Sequence, residues 1–252
     1  MTTLSEILKK NSPAVVALSG GTDSMTLLAA FVREGLPVSA VTIRSEFTAP
    51  EESARAEECA RKLGVEWKAI DVLVMSDDRL RFNPPDRCYI CKKKILTKMF
   101  EEADGRTVCD GTHADDLTED RPGRKALEEF GVVSPFALAG IGKQEIYALA
   151  KELGVPVIPS SSCLATRIPF GEEITEDDLK KIADSESFLR KKGIIGMLRV
   201  RLSSGRAVIE TEKNEMANAE LYTDDLKAFG FSTIAFTEYK TGGENSWNRI
   251  QP

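Results

Sequence analysis

The chain has 252 residues, 42% of them hydrophobic, with 40 acidic against 34 basic side chains, one histidine and a formal net charge of −6. That length can bury one large or two modest cores without covalent staples, and the acidic balance disfavours a nonspecific grip on a polyanion such as tRNA. No apolar stretch approaches the ~20 residues of a membrane span, and the N-terminus lacks the apolar core of a signal peptide. The five cysteines are too irregular for a secreted disulfide framework, so a cytoplasmic protein with no membrane partner is expected.

The apolar run 14–18 reads as a buried strand, and residues 23–33 carry apolar side chains at helical spacing. Between them, Ser19-Gly20-Gly21-Thr22-Asp23-Ser24 falls at a strand-to-helix turn. Such a turn aims unpaired N–H groups and a positive dipole end at an anion. Gly20 and Gly21 let backbone approach phosphate oxygens, Ser19 and Ser24 offer hydroxyls, and Asp23 can hold magnesium or cap the helix. No lysine sits in this loop, which separates it from the longer phosphate loop ending in Gly-Lys-Ser/Thr.

Further strands are predicted at 38–43, 67–72 and 107–110, with helices between, including one over residues 89–99. This alternation predicts an α/β fold with a doubly wound parallel sheet. Ligands of such sheets lie beyond the carboxyl ends of the strands, where residues 19–24, Arg44 with Ser45, and residues 111–116 converge. Beyond Leu164 the pattern changes to a charged helix over 175–192, a strand pair at 198–202 and 207–211 turning at Ser203-Ser204-Gly205, a helix near 214–229 and a strand at 232–236. Two domains follow, residues 1–164 and a small α+β domain of residues 165–252, whose tail from Thr241, with Trp247, is expected to be mobile.

Cys88 and Cys91 lie three apart at a helix start, where Arg87, Lys92, Lys93 and Lys94 favour the thiolate form. Cys163 sits in a loop of small residues, whereas Cys109 falls in a strand and Cys59 in a helix. The Cys-x-x-Cys pair fits a redox couple, half a zinc site or part of an iron-sulfur site. Zinc needs four ligands, and besides three accessible thiols only His113 is on offer. Three thiolates without a fourth suit a [4Fe-4S] cluster with one open iron, a place to carry sulfur. Arg199 and Arg201, two apart in a strand, face one side and can clamp a phosphate.

The Ser19–Ser24 motif resembles the pyrophosphate loop of the ATP pyrophosphatase superfamily, whose members cleave ATP between its α and β phosphates and adenylate a substrate. Asn83-Pro84-Pro85-Asp86-Arg87-Cys88-Tyr89-Ile90-Cys91-Lys92, Asp110-Gly111-Thr112-His113-Ala114-Asp115-Asp116, Arg121-Pro122-Gly123, Ser134-Pro135, Cys163-Leu164-Ala165-Thr166-Arg167 and Arg199-Val200-Arg201 together resemble the ATP-dependent sulfur insertases, which serve nickel-pincer cofactor synthesis. The resemblance implies an adenine nucleotide α-hydrolase-like fold and ATP-driven conversion of a pyridinium carboxylate mononucleotide into its thiocarboxylate. It implies ATP with Mg2+ at residues 19–24, Gly111, Thr112 and Asp115, with Arg44 at the nucleotide, and catalytic roles for Asp23 and the sulfur-delivering Cys163. It also implies a [4Fe-4S] cluster on Cys88, Cys91 and Cys163, substrate phosphate on Arg167, Arg199 and Arg201, a second metal at Glu186 and Glu210, sulfide or another sulfur donor, and a homo-oligomer. The competing readings are a tRNA thiolase of the same superfamily, an ammonia-using synthetase of the NAD or GMP type with structural zinc, and a non-enzymatic nucleotide sensor.

Overall fold

A computed structural model describes residues 2–118, 122–159 and 161–240, so the expectations touching Arg121, Ser160 and the 241–252 tail with Trp247 lie outside the described residues. The chain divides into two units, residues 1–76 with 86–161, and residues 77–85 with 162–252. The second unit thus starts at Ser162, ahead of Leu164, and also takes residues 77–85 out of the middle of the first.

In the first unit, α1 (Leu4–Lys10) precedes β1 (Ala14–Ala17), α2 (Thr22–Arg33), β2 (Val38–Arg44), α3 (Pro50–Leu63), β3 (Trp67–Asp71), α4 (Arg87–Ala103), β4 (Thr107–Cys109), α5 (Pro122–Phe130), α6 (Pro135–Leu138) and α7 (Lys143–Glu152). The sheet runs β3-β2-β1-β4 with every neighbour parallel. Alternation along β1 sends its side chains to both faces. Ala14 and Val16 pack with Leu27, Leu28 and Phe31 of α2 and Ile146 and Ala150 of α7. Val15 joins Val41, Val108 and, from α4, Met99 and Ala103 on the other face. Helices therefore cover both faces, the doubly wound fold expected, and strands buried on two sides read as continuous apolar runs.

The chain leaves β1 toward β2 and β3 and comes back to β4 on the opposite side. Loops that depart in opposite directions open a crevice beyond the strand ends at this switch point, between residues 18–24 after β1 and residues 110–116 after β4.

In the second unit, α8 (Glu176–Lys191) leads into β5 (Leu198–Ser203), β6 (Arg206–Thr211), α9 (Lys213–Glu220), α10 (Thr223–Lys227) and β7 (Thr233–Glu238). β5 and β6 form the expected hairpin, turning at Ser204 and Gly205, both at positive φ, and β7 pairs parallel with β6. The helix expected over 214–229 is broken in two: Tyr222 leaves the helix and sets its ring edge-on to Phe188 of α8, 5.9 Å between centroids. The segment 77–85 is sewn in by the buried Asn83, whose side-chain amide donates to the carbonyls of Ala165, Ile168 and Pro169 at 3.3, 2.6 and 3.1 Å.

Gly20 sits at φ +76°, and a Cβ there would lie 2.0 Å from the Glu52 carbonyl oxygen of α3. Gly20→Ala is therefore expected to destabilise the protein by at least about 2 kcal/mol. Gly21→Ala, whose Cβ would meet nothing nearer than Ser19 Oγ at 3.5 Å, is expected to cost under about 1 kcal/mol. Urea unfolding of both variants compares the two, and equal losses would contradict the packing argument.

Candidate functional site

The turn between β1 and α2 is tied to itself. Ser19 N donates to Ser24 Oγ at 3.1 Å, and Ser24 Oγ donates to the Gly21 carbonyl at 3.2 Å. Gly21 is the residue before the helix and supplies no capping side chain, so the first-turn N–H groups of α2 face outward for an anion. Thr22 turns away: its hydroxyl accepts from Ile158 N at 2.8 Å, and it serves the site through its backbone alone. At Gly20 the approach of α3 and the positive φ by themselves require glycine.

Gly111 shows where the second loop meets the first. A Cβ on it would stand 2.8 Å from Ser24 N and 2.9 Å from the Asp23 carbonyl carbon, so the chain after β4 lies directly against the first turn of α2. Asp110, beside it, accepts from Ser134 Oγ at 2.6 Å, Thr112 Oγ1 at 2.6 Å and Thr112 N at 3.2 Å, which fixes the loop.

Lys143, which the sequence reading missed, begins α7 and places Nζ 2.6 and 2.7 Å from the two Asp23 carboxylate oxygens. Asp115 accepts from Lys143 N at 2.7 Å, so it caps α7 and holds that lysine in place. The available signal was a lysine after Gly142 with Glu145 three residues beyond the glycine, a helix start without an N-cap side chain.

A cavity of about 380 Å³ opens on these loops. Ala17, Leu18, Val41, Ile43, Ile95, Leu96, Met99 and Leu127 give it an apolar wall, while Ser19, Asp23, Ser24, Asp110, Gly111, Thr112, Asp116 and Lys92 give it polar groups. Apolar surface for a flat heterocycle beside a helix N-terminus is an arrangement suited to a nucleotide. Arg44 does not line it: the guanidinium makes a two-pronged pair with Asp71, both contacts 2.8 Å, and Ile43 takes the wall position.

α4 carries Cys88 and Cys91, both half-buried, and then Lys92, Ile95, Leu96 and Met99 of the cavity. Cys88 and Lys92 are one turn apart on the same side of the helix. Cys163, in the second unit, precedes the short 3-10 turn Leu164–Arg167, and its carbonyl accepts from Thr166 Oγ1 at 2.7 Å. Burial pushes the Cys109 thiol up to about 12, as its strand position predicts, so it stays a thiol at neutral pH. Burial also raises Cys59, on α3.

Among the described residues, no three histidine, cysteine or carboxylate side chains gather to hold a metal. His113 is buried beside Asp116, with Nε2 3.4 Å from Oδ2. The two acids expected at a second metal site each meet an arginine. Glu186 is bound by Arg167, with Nε to Oε1 at 2.8 Å, and accepts from Val200 N at 2.9 Å; Glu210 lies 2.8 Å from Arg201 Nε. Both carboxylates are counterions of arginines.

Those arginines behave differently from one another. Arg167 and Arg201 are 1% and 0% exposed. Arg167 also donates to the Ser162 carbonyl and hydroxyl at 2.9 and 2.8 Å, which buttresses the turn after Cys163 rather than leaving a fork for phosphate. Arg199 is half-buried and stacks at 4.9 Å over Tyr239. Burial, and then the charges of Arg167 and Arg201, lower its pKa. Three guanidinium groups and two carboxylates leave one positive charge over, and Arg199 is the group with no carboxylate of its own among the described residues.

Residues 13–79 match the family described as queuosine biosynthesis protein QueC. An uncharacterized protein of Methanocaldococcus jannaschii is 41% identical over 231 residues, 89% of each chain. The pyridinium-3,5-bisthiocarboxylic acid mononucleotide synthase of Lactiplantibacillus plantarum is 31% identical across 96% of this chain and 92% of its own. A tRNA-specific 2-thiouridylase of Thermoanaerobacter is 28% identical over 71% of this chain and 62% of its own. The parallel sheet, the glycine turn and these relatives define an enzyme of the PP-loop ATP pyrophosphatase superfamily, and within it the chain belongs to the family of the Lactiplantibacillus synthase.

Removing the Glu210 carboxylate strands the fully buried Arg201 charge. Glu210→Gln is expected to cost about 3–5 kcal/mol, against about 0.5 kcal/mol or less for Glu238→Gln at an exposed position. Denaturant titration measures both.

Proposed function

We propose that the chain is an ATP-dependent sulfur transferase acting on a pyridinium carboxylate mononucleotide, forming AMP, pyrophosphate and a thiocarboxylate. The observation that carries this reading is the cavity of the first unit, where an apolar wall with Ile95, Leu96 and Met99 stands beside the open N-terminus of α2 and the carboxylates of Asp23 and Asp110. Similarity to the Lactiplantibacillus synthase over nearly the whole of both chains supports the substrate class.

A carboxylate resists attack because oxide is a prohibitive leaving group. Its oxygen first attacks the α-phosphorus of ATP, and the bond to the departing pyrophosphate breaks. The N–H groups of residues 22–24 face that pyrophosphate, where fixed donors stabilise developing charge. Magnesium takes most of its ligands from phosphate and water, needs one or two protein carboxylates, and would find them among Asp23, Asp110 and Asp116; bound there it neutralises phosphate charge. Lys143 keeps Asp23 oriented in the meantime.

Sulfur is carried as a persulfide on Cys163, loaded when the Cys163 thiolate takes the outer sulfur of a donor persulfide and the donor leaves as its thiol. Its terminal sulfur attacks the acyl carbon, the carbon–oxygen bond breaks with its electron pair leaving on AMP, an external thiol cleaves the sulfur–sulfur bond to release the thiocarboxylate, and a second thiol reduces the mixed disulfide left on Cys163. No step is routed through an iron-sulfur cluster. Arg199 is the group placed to receive the substrate phosphate. An acidic chain with reduced thiols supports a cytoplasmic setting. The same acidity weighs against a tRNA substrate, despite the thiouridylase relative.

Cys163→Ala is expected to abolish thiocarboxylate formation while pyrophosphate release stays within about tenfold of wild type. Sulfur insertion at full rate would remove Cys163 from this role. Asp23→Asn, which loses the paired charge facing Lys143, is expected to slow AMP formation by about 100-fold; an unchanged rate in a pyrophosphate-release assay would contradict the assignment. Metal analysis of protein purified without oxygen decides whether a cluster takes part: about four iron per chain supports it, and one zinc with no iron removes it.

A further inference from the structure

Lys92 has no part in the chemistry so far. Among the described residues it is the one cation lining the cavity, against three carboxylates, Asp23, Asp110 and Asp116. The other lysines of α4 are engaged: Lys93 with Glu129 at 3.3 Å, Lys98 with Glu101 at 2.7 Å, and Lys94 with Ser76. Lys143 is held by Asp23. Lys92 makes no hydrogen bond or ion pair among the described residues. Its stem is nevertheless accommodated by design of the neighbouring helix: a Cβ on Gly123 of α5 would lie 3.1 Å from Lys92 Cδ and 3.2 Å from Cε. A side chain at that position would push the lysine aside. The cavity therefore keeps a positioned, uncommitted ammonium in an acidic lining, an arrangement that awaits an anion.

The cavity says which anion. With the base against Ile95, Leu96 and Met99 and the pyrophosphate at the N–H groups of residues 22–24, the α-phosphate falls between the two, and Lys92 lies on α4 just ahead of that apolar wall. We infer that Lys92 holds the α-phosphate through both halves of the reaction and is a catalytic residue of adenylation and of AMP departure. This rests on the sulfur-transfer reading above. As the carboxylate oxygen bonds to the α-phosphorus, the electron pair of the broken bond leaves with pyrophosphate. As sulfur bonds to the acyl carbon, the electron pair of the carbon–oxygen bond stays on AMP. Negative charge collects on the α-phosphate oxygens in both steps, and Lys92 stabilises it while staying protonated, giving up no proton.

The test uses Lys92→Met, Lys92→Arg and Gly123→Val in the full chain, with ATP, Mg2+ and pyridinium-3,5-dicarboxylate mononucleotide. Exchange of labelled pyrophosphate into ATP reads adenylation, and calorimetry with a non-hydrolysable ATP analogue reads nucleotide affinity. Lys92→Met is expected to lower exchange by about 100- to 1,000-fold and analogue affinity by less than about tenfold. Lys92→Arg is expected to recover most of the rate, and Gly123→Val, which displaces the lysine without removing it, to fall between. Should Lys92→Met fail to fold by circular dichroism, the arginine and Gly123 variants carry the comparison.

Exchange at the wild-type rate in Lys92→Met, with Asp23→Asn impaired, would overturn the role of Lys92 and leave the sulfur-transfer reading standing. Loss of affinity in proportion to rate would also overturn it, since the lysine would then bind nucleotide without favouring the transition state. Absence of exchange in the wild-type protein would remove the adenylation reading and this inference with it.

Discussion

The first turn of α2 is held where two other pieces of chain come too close to leave room for a side chain. Gly20 lies under the Glu52 carbonyl, and Gly111 lies against the backbone of Asp23 and Ser24. These two approaches fix the helix N-terminus relative to α3 on one side and the exit of β4 on the other. Everything polar in the cavity descends from that: the open N–H groups, the carboxylate of Asp23 and the Asp110 loop are immobilised before any ligand arrives. Preorganisation of this kind is how fixed dipoles favour a transition state without rearranging during the reaction.

Charge is distributed unevenly around that fixed point. Asp23 is neutralised by Lys143, so the lining does not repel a polyanion as strongly as its three carboxylates imply, while Asp110 keeps its charge and is held by hydroxyl donors. In the second unit the problem is reversed, because Arg167, Arg199 and Arg201 are crowded together and Glu186 and Glu210 must lie among them. Buried pairs of this sort contribute little net stability compared with apolar packing. Their value is positional: the Arg167 pair fixes the turn after Cys163, and the Arg201 pair spans β5 and β6, while Arg199 is left with its charge unmatched.

The sheet, the glycine turn and most helices were legible because buried parallel strands are short apolar runs and the helices carry apolar stripes. The break at Tyr222 was not, since residues 214–229 keep helical periodicity, and at the break Tyr222 packs edge-on against Phe188. Within the site, sequence could group Asp23, Gly111 and the thiols by motif but could not say what each touches. Arg44 looked like a nucleotide contact and pairs with Asp71; Glu186 and Glu210 looked like metal ligands and serve arginines. Lys143 and the cavity-facing orientation of Lys92 depend on helices packed from distant parts of the chain, which no local pattern encodes.

The cysteines show why burial, more than spacing, sorts thiols for chemistry. Cys109 ends β4 next to the Asp110 loop, nearer in sequence to the loop that lies against the glycine turn than any other thiol, yet desolvation holds it protonated at neutral pH. A thiol in that state neither attacks an adenylate nor carries a persulfide, because the thiolate is the nucleophile. Cys88, Cys91 and Cys163 are half-exposed on a helix start and a loop. A sulfur-transfer enzyme needs this separation, since a reactive thiol within the sheet would compete for the activated acyl group and trap it as a dead thioester.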